Sequence, residues 1–309
     1  MLLDADTLEL SSGVELLLGP EGLKTELFSC LVETNTPVCE SAAEAWDELV
    51  RLRAVVRDAA GREGLAVAAA GSHPFSRGED QEIVAEPRYL KMSEELGPKL
   101  HRQLVCGLHV HVGMASFDEC LQTLAAIVPW LPTVLALSLN SPYMQGGETG
   151  ALSSRAARLA ELPRGGEEPP SFASPEEWEA YIEATGKDYT RSWWDARPHP
   201  RLGTLEVRIA DQPTSVERSA ALAALVQALC AEPPTEQPTG EYSEERAAAA
   251  RGSAPTERLL TLVEPAAREL GTSELIDTLR EPAEALRQLE VGGRNGLIAV
   301  AADLVARTA

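Results

Sequence analysis

Hydrophobic positions along the chain follow two periods. After Ser41, the side chains Trp46, Leu49, Leu52, Val55 and Val56 recur at three- and four-residue steps, which predicts an amphipathic helix. Ser41-Ala-Ala-Glu44 in front of it is a capping box, and Ser116-Phe-Asp-Glu119 repeats the device. Ser174-Pro175-Glu176-Glu177 places Ser at the N-cap, Pro at the first helical position and Glu at the third. Thr214-Ser-Val-Glu217 opens a further helix that runs to about Cys230. Between these stretches, residues 24–33, 65–70, 104–112 and 203–211 are apolar or alternating runs and read as strands. Strands and helices mix without a regular β-α-β rhythm, so the fold class is α+β.

Residues 120–147 carry no charge and include LAAIVPWLPTVLAL, long enough to suggest a membrane span. Pro129 and Pro132 interrupt the run, and two consecutive buried helices are expected instead. Residues 163–175 read as a surface loop and 231–240 as a linker. The expected organisation is a catalytic part over 1–230, that linker, and a helical part of the same domain over 241–309.

Composition narrows the function. Lys+Arg total 27 against 48 Asp+Glu, a formal charge of −21, which excludes a basic nucleic-acid face and docking on an anionic membrane. Five Cys, an odd number set mostly in apolar runs, fit reduced thiols. The first residues lack a basic region followed by an apolar one, so a cytoplasmic location is expected.

Candidate chemistry sits on three strands. In Leu104-Val-Cys-Gly-Leu-His-Val-His-Val-Gly113, alternation puts Leu104, Cys106, Leu108, Val110 and Val112 on one face. The other face carries His109 and His111, roughly 6–7 Å apart by strand geometry, between Gly107 and Gly113. The pair is either incidental or metal-binding. In Gly203-Thr-Leu-Glu-Val-Arg-Ile-Ala-Asp211, Glu206 and Arg208 share the face opposite Leu205, Val207 and Ile209. They form a plain ion pair, or Glu206 holds a cation and Arg208 a carboxylate or phosphate. Glu33 ends an apolar run, where an unpaired carboxylate is costly. Strict alternation puts Glu26 on the opposite face from Glu33 unless a bulge intervenes, and Glu26 also suits a solvated strand entry. His101 and His199 receive no role.

Seven segments together resemble the carboxylate–amine ligases of the type-2 glutamate–cysteine ligase branch, the YbdK-like family. They are V-E-x-x-T-P-V-C (32–39), A-A-G-S-H-P-F (69–75), C-G-L-H-V-H-V-G (106–113), S-P-Y-M-Q-G (141–146), S-S-R (153–155), W-W-D-A-R-P (193–198) and T-L-E-V-R-I-A-D (204–211). They occur in family order.

The resemblance implies a largely antiparallel sheet curved into a funnel, with helices packed outside, as in glutamine synthetase. It implies an ATP- and Mg²⁺-dependent ligase that activates a carboxylate, glutamate by expectation, and joins it to cysteine or another amine. Glu33, His109 and Glu206 match family metal ligands. Arg208 and Arg155 match groups that hold the phosphoryl or substrate carboxylate, and His111 and Glu26 are placed at the substrate. A homo-oligomer is compatible with this reading. Two departures are visible. The family's Gly-x-Glu-x-Glu strand is missing and is expected upstream of Met1. The segment Ser243-Glu-Glu-Arg246-Ala-Ala-Ala-Ala-Arg251-Gly lacks the Asn and the aromatic residue of the family's nucleotide segment. The missing acidic strand raises the alternative of a catalytically impaired homologue that binds an amino acid or a protein, and the His-x-His pair raises that of a metal hydrolase.

Overall fold

The computed structural model describes residues 1–162, 168–188 and 190–308, so part of the loop expected at 163–175 lies outside the described residues. Nine short strands are seen among them: β1 Leu2–Asp4, β2 Leu23–Thr25, β3 Val32–Thr34, β4 Leu65–Val67, β5 Val110–Gly113, β6 Tyr143–Met144, β7 Gly147–Glu148, β8 Ala196–His199 and β9 Thr204–Val207. The α-helices are α1 Val14–Leu17, α2 Ala42–Arg62, α3 Pro87–Leu96, α4 Pro98–His101, α5 Phe117–Ile127, α6 Leu131–Ser138 and α7 Ser154–Leu159. They continue as α8 Pro175–Thr185, α9 Val216–Ala231, α10 Tyr242–Ala249, α11 Thr256–Glu269, α12 Ser273–Asp277, α13 Glu284–Asn295 and α14 Leu297–Arg307.

The helix starts follow their caps. The hydroxyls of Ser41, Ser116, Ser174 and Ser215 accept from the N–H groups of Glu44, Glu119, Glu177 and Arg218. The glutamates reach back one residue further than a capping box requires, to the N–H groups of Glu40, Ala115 and Ala173. The uncharged stretch forms α5 and α6 with a 3₁₀ turn at Val128–Trp130 between them. Phe117–Ser138 is apolar and long enough to cross a membrane, yet 78% of its most apolar window is buried within the fold.

The funnel expected from the family resemblance is not found. The described strands form four separate antiparallel sheets, pairing β1 with β4, β2 with β3, β6 with β7, and β5-β9-β8 in that order. The physical reason lies in two runs that read as continuous strands. In 24–33 the chain reverses, so that Lys24 stands opposite Glu33. Leu27, Phe28, Ser29, Cys30 and Leu31 are all buried, so alternation fails there. Their main chain bonds to scattered partners instead of continuing the ladder: Leu2 and Val14 donate to the carbonyls of Cys30 and Ser29, Ser29 donates to Glu82, and Val84 to Leu27.

The second interruption lies beyond β9. Val110 pairs with Val207, but Gly107 bridges Asp211, so three steps on one strand oppose four on the other. One extra residue bulges from the chain after β9, and the regular ladder ends. Ile209 and Ala210 are consequently both buried.

The main core lies beneath the three-stranded sheet. Leu205, Val207 and Ala196 on its apolar face join α5, α6, α9 and α11 in one buried cluster. Helix α9 is its centre, with eleven buried residues from Arg218 to Cys230. A second cluster gathers Leu2, Leu3, Val14, Phe28, Leu52, Val56 and Leu304 around the N-terminal strands. The five cysteines are free thiols.

Candidate active site

The register of β5, β9 and β8 determines one polar face. His111 stands opposite Glu206, which stands opposite Arg197, and Thr204 stands opposite His199. Because side chains alternate across a strand, these groups share the face turned away from the core. Glu206 is 2% exposed and lies at the centre. Its Oε2 takes Arg197 Nε at 2.7 Å, and its Oε1 takes the Arg208 guanidinium. His109 Nδ1 lies 3.6 Å and His111 Nε2 3.8 Å from the same Oε1. The His111 ring meets Thr204 Oγ1 through Nδ1 at 2.9 Å and packs edge-on against His199, centroids 5.5 Å apart.

Burial acts to raise the Glu206 carboxyl, but Arg208 and Arg197 override it and hold the group far below the ordinary carboxylate range. His109 keeps 39% of its side chain open to solvent. Desolvation and the charge of Arg208 nevertheless push its pKa well below 6.5, with Glu206 opposing. Desolvation lowers His111 as well, again against Glu206. Both rings are therefore neutral at neutral pH. Two guanidinium groups against one carboxylate leave this face net positive in a chain of formal charge −21.

The β2–β3 hairpin carries the two remaining acids. Glu33 is exposed and accepts from Asn35 Nδ2 at 2.7 Å. Glu26 is half-buried and takes the N–H of Leu27. Desolvation raises its pKa, the charge of Glu33 adds to that, and Arg208 opposes it. Chain reversal thus puts Glu26 and Glu33 within electrostatic reach of each other, and Glu26 within reach of Arg208.

Arg155 lies behind the face instead of on it. It is 4% exposed, and its guanidinium donates to the carbonyls of Ile209 at 2.9 Å and Arg208 at 2.8 Å. These are the carbonyls that the bulge removes from the ladder. Gly107 lies against the same guanidinium, and a β-carbon there would stand 2.2 Å from Nη2. Asp211, fully buried, sits 3.9 Å from Arg155 and accepts from Ser141 Oγ at 2.7 Å, Ser153 Oγ at 2.8 Å and the N–H of Asn140 at 3.0 Å. A β-carbon on Gly71 would touch the same carboxylate at 2.8 Å. Six of the seven sequence signatures therefore meet around Arg155 and Asp211 or on the polar face above them.

A Mg²⁺ centre was expected at Glu33, His109 and Glu206. Among the described residues, no three His, Cys, Asp or Glu side chains are placed to hold a metal ion. Both oxygens of Glu206 face arginines, and Glu33 is bonded to an amide on the separate hairpin. Mg²⁺ requires free oxygen donors in near-octahedral array, so these residues, as arranged, do not fit a resident ion.

Sequence reasoning missed Arg197, although it stands in the W-W-D-A-R-P segment. Its place opposite Glu206 depends on the pairing of β8 with β9, which no local pattern specifies. His199 was missed for the same reason.

Comparison with known proteins identifies the family. The glutamate–cysteine ligase family 2 (GCS2) matches residues 4–291. A protein of Rubrobacter xylanophilus provisionally named glutamate–cysteine ligase 2-3 is 36% identical, over 99% of this chain and 93% of that protein. Relatives from Herpetosiphon aurantiacus and a Jannaschia species, provisionally named glutamate–cysteine ligase 2, are 39% and 37% identical over 74% of this chain. The matched part spans 62% and 63% of those two proteins, under two thirds of their length. The chain belongs to the type-2 glutamate–cysteine ligase family of carboxylate–amine ligases.

Proposed function

We propose that this chain joins a carboxylate to an amine at the expense of ATP, with glutamate as the activated acid and cysteine or another amine as the acceptor. The observation that carries the reading is the paired Arg197 and Arg208 held by Glu206 on the polar face of the three-stranded sheet. A free carboxylate is a poor electrophile. Its oxygen attacks the γ-phosphorus of ATP, which enters as its Mg²⁺ salt, and ADP departs. The amine nitrogen then attacks the carbonyl carbon of the acyl phosphate, and phosphate leaves with the carboxylate oxygen.

Each species on this path is anionic at the reacting centre. Arg208 and Arg197 supply fixed positive charge, already oriented by Glu206, so little reorganisation is required as charge shifts. The neutral rings of His109 and His111 supply polar contacts on this face without adding charge to it. Glu26, with its charge in the field of Arg208, suits the ammonium group of an incoming amino acid. Arg155 supports Arg208 from behind by holding its carbonyl. Binding and orientation supply much of the rate.

Amine-dependent ADP release from Mg²⁺-ATP, measured across a panel of amino acids, tests the reading. A panel with no amine-dependent release would sink it. The impaired homologue remains as a second reading, favoured by the double arginine pairing of Glu206, which leaves no oxygen free for a cation. It predicts glutamate binding by calorimetry with no ADP release for any amine.

A further inference from the structure

The peptide of Arg208 is gripped from both sides. Its N–H donates to the carbonyl of Asp195 at 2.8 Å, and its carbonyl accepts from Arg155 Nη2 at 2.8 Å. These two supports come from different elements, the chain leading into β8 and helix α7. One buried side chain joins them. Arg246, on α10, is 6% exposed. Its Nε and Nη2 take the two carboxylate oxygens of Asp195, at 2.5 and 3.1 Å, and its Nη1 donates to the carbonyl of Ala156, next to Arg155, at 2.9 Å. Tyr242, one turn earlier on the same helix, donates its hydroxyl to Asp195 Oδ2 at 2.8 Å.

We propose that Arg246 is a positioning residue for Arg208: it ties Asp195 to α7 and so fixes both supports of the Arg208 peptide at the bulge. A bulged residue lacks a regular ladder to hold it, and a planar guanidinium that satisfies a carboxylate in two places leaves Asp195 little freedom. Every donor of Arg246 named here faces protein, so its work is done through Arg208 and not on a ligand. The inference rests on the ligase reading only where activity is measured.

The test uses Tyr242→Phe, which removes one hydroxyl and keeps the ion pair, and Arg246→Lys, which keeps charge and loses the two-point contact. The first readout is amide hydrogen exchange by NMR. Exchange at Arg208 should accelerate roughly tenfold or more in both variants while Leu205 and Val207 stay protected. Unchanged exchange at Arg208, or a uniform rise along β9, overturns the proposal. Should the lysine variant fail to fold, Arg246→Gln, which keeps an amide donor and loses the two-point contact with Asp195, takes its place. The second readout is kcat and KM for ADP release, each variant being made in the natural chain and in an Arg208→Lys background. Residues acting through one another are non-additive, so kcat should fall roughly tenfold in the natural chain, with KM for ATP little changed, and hardly at all in the second background. Equal losses in both backgrounds overturn it. If the natural chain releases no ADP, the ligase reading fails, and the exchange experiment still decides the role of Arg246.

Discussion

Arg197 and Glu206 stand directly opposite each other on β8 and β9, Nε 2.7 Å from Oε2, with 11% and 3% of their side chains exposed. Arg208 takes the other oxygen of the same carboxylate. One buried acid therefore sets the separation of two largely buried cations on the polar face of the sheet, and this relationship underlies the functional reading.

Removing one member tests whether the pair acts together. Arg197→Ala should lower kcat/KM for ADP release by about a hundredfold, the loss typical of one preorganised donor. Arg197→Lys should restore little, since a single ammonium cannot copy the side-on contact. Steady-state kinetics on the purified variants gives the answer.

Glu206→Gln should lose both activity and stability. Two guanidinium groups would lose their counter-charge in a buried setting, so unfolding free energy should fall by roughly 2 kcal/mol. The sign with pH follows from a depressed carboxyl: its contribution is full above the ordinary carboxylate value of 4.5 and is lost as pH falls below that. Urea unfolding should show a constant gap between natural and variant chains above about pH 5 that narrows in acid.

His73 lies in a signature segment yet serves the core. It is 2% exposed, its Nε2 lies 3.1 Å from the Leu8 carbonyl, and its Nδ1 accepts from the N–H of Ser76 at 3.0 Å. Desolvation pushes its pKa down to about 4 from 6.5. The unfolded chain thus binds the extra proton between those values, and stability falls as pH drops from 6.5 towards 4. The loss at about pH 5 should be roughly 2 kcal/mol relative to neutral pH. In His73→Gln this share of the acid sensitivity should vanish, as urea unfolding at the two pH values would show.

Gly107→Ala places a methyl group where the Arg155 guanidinium lies. Overpacking of this kind costs about 1–3 kcal/mol. Because Arg155 holds the Arg208 carbonyl, the variant should lose activity as well as melting temperature. A variant that melts lower but keeps full kcat would separate Arg155 from the site.

Much of this was legible in the sequence. The serine caps at Ser41, Ser116 and Ser174, the two buried helices in the uncharged stretch, and the placing of His109 with His111 and of Glu206 with Arg208 on one face of their own strands follow from local patterns; the fourth cap falls on Ser215, one residue after the expected Thr214, and the meeting of the two pairs comes from the pairing of β5 with β9. The two failures have one cause. Bulges and reversals are set by partners distant in the chain: Arg155 satisfies carbonyls fifty residues and more away, and Ser29 bonds to Glu82. Alternation along 203–211 and 24–33 could not reveal them. The funnel came from family resemblance alone, and the short, interrupted strands replace it with separate sheets. Gly71 and Gly107 did carry a signal: a glycine in a strand marks a close approach, and here the approaching groups are Asp211 and Arg155.

The central claim is activation of a carboxylate by phosphoryl transfer at the Arg197–Glu206–Arg208 face. It is tested most directly by incubating the chain with Mg²⁺-ATP, glutamate labelled with ¹⁸O in its carboxylates, and an amine, then examining the released phosphate by mass spectrometry. The account predicts amine-dependent phosphate carrying one ¹⁸O atom, and loss of that product in Arg208→Ala. Amine-dependent phosphate without label, or no amine-dependent phosphate at all, would contradict it.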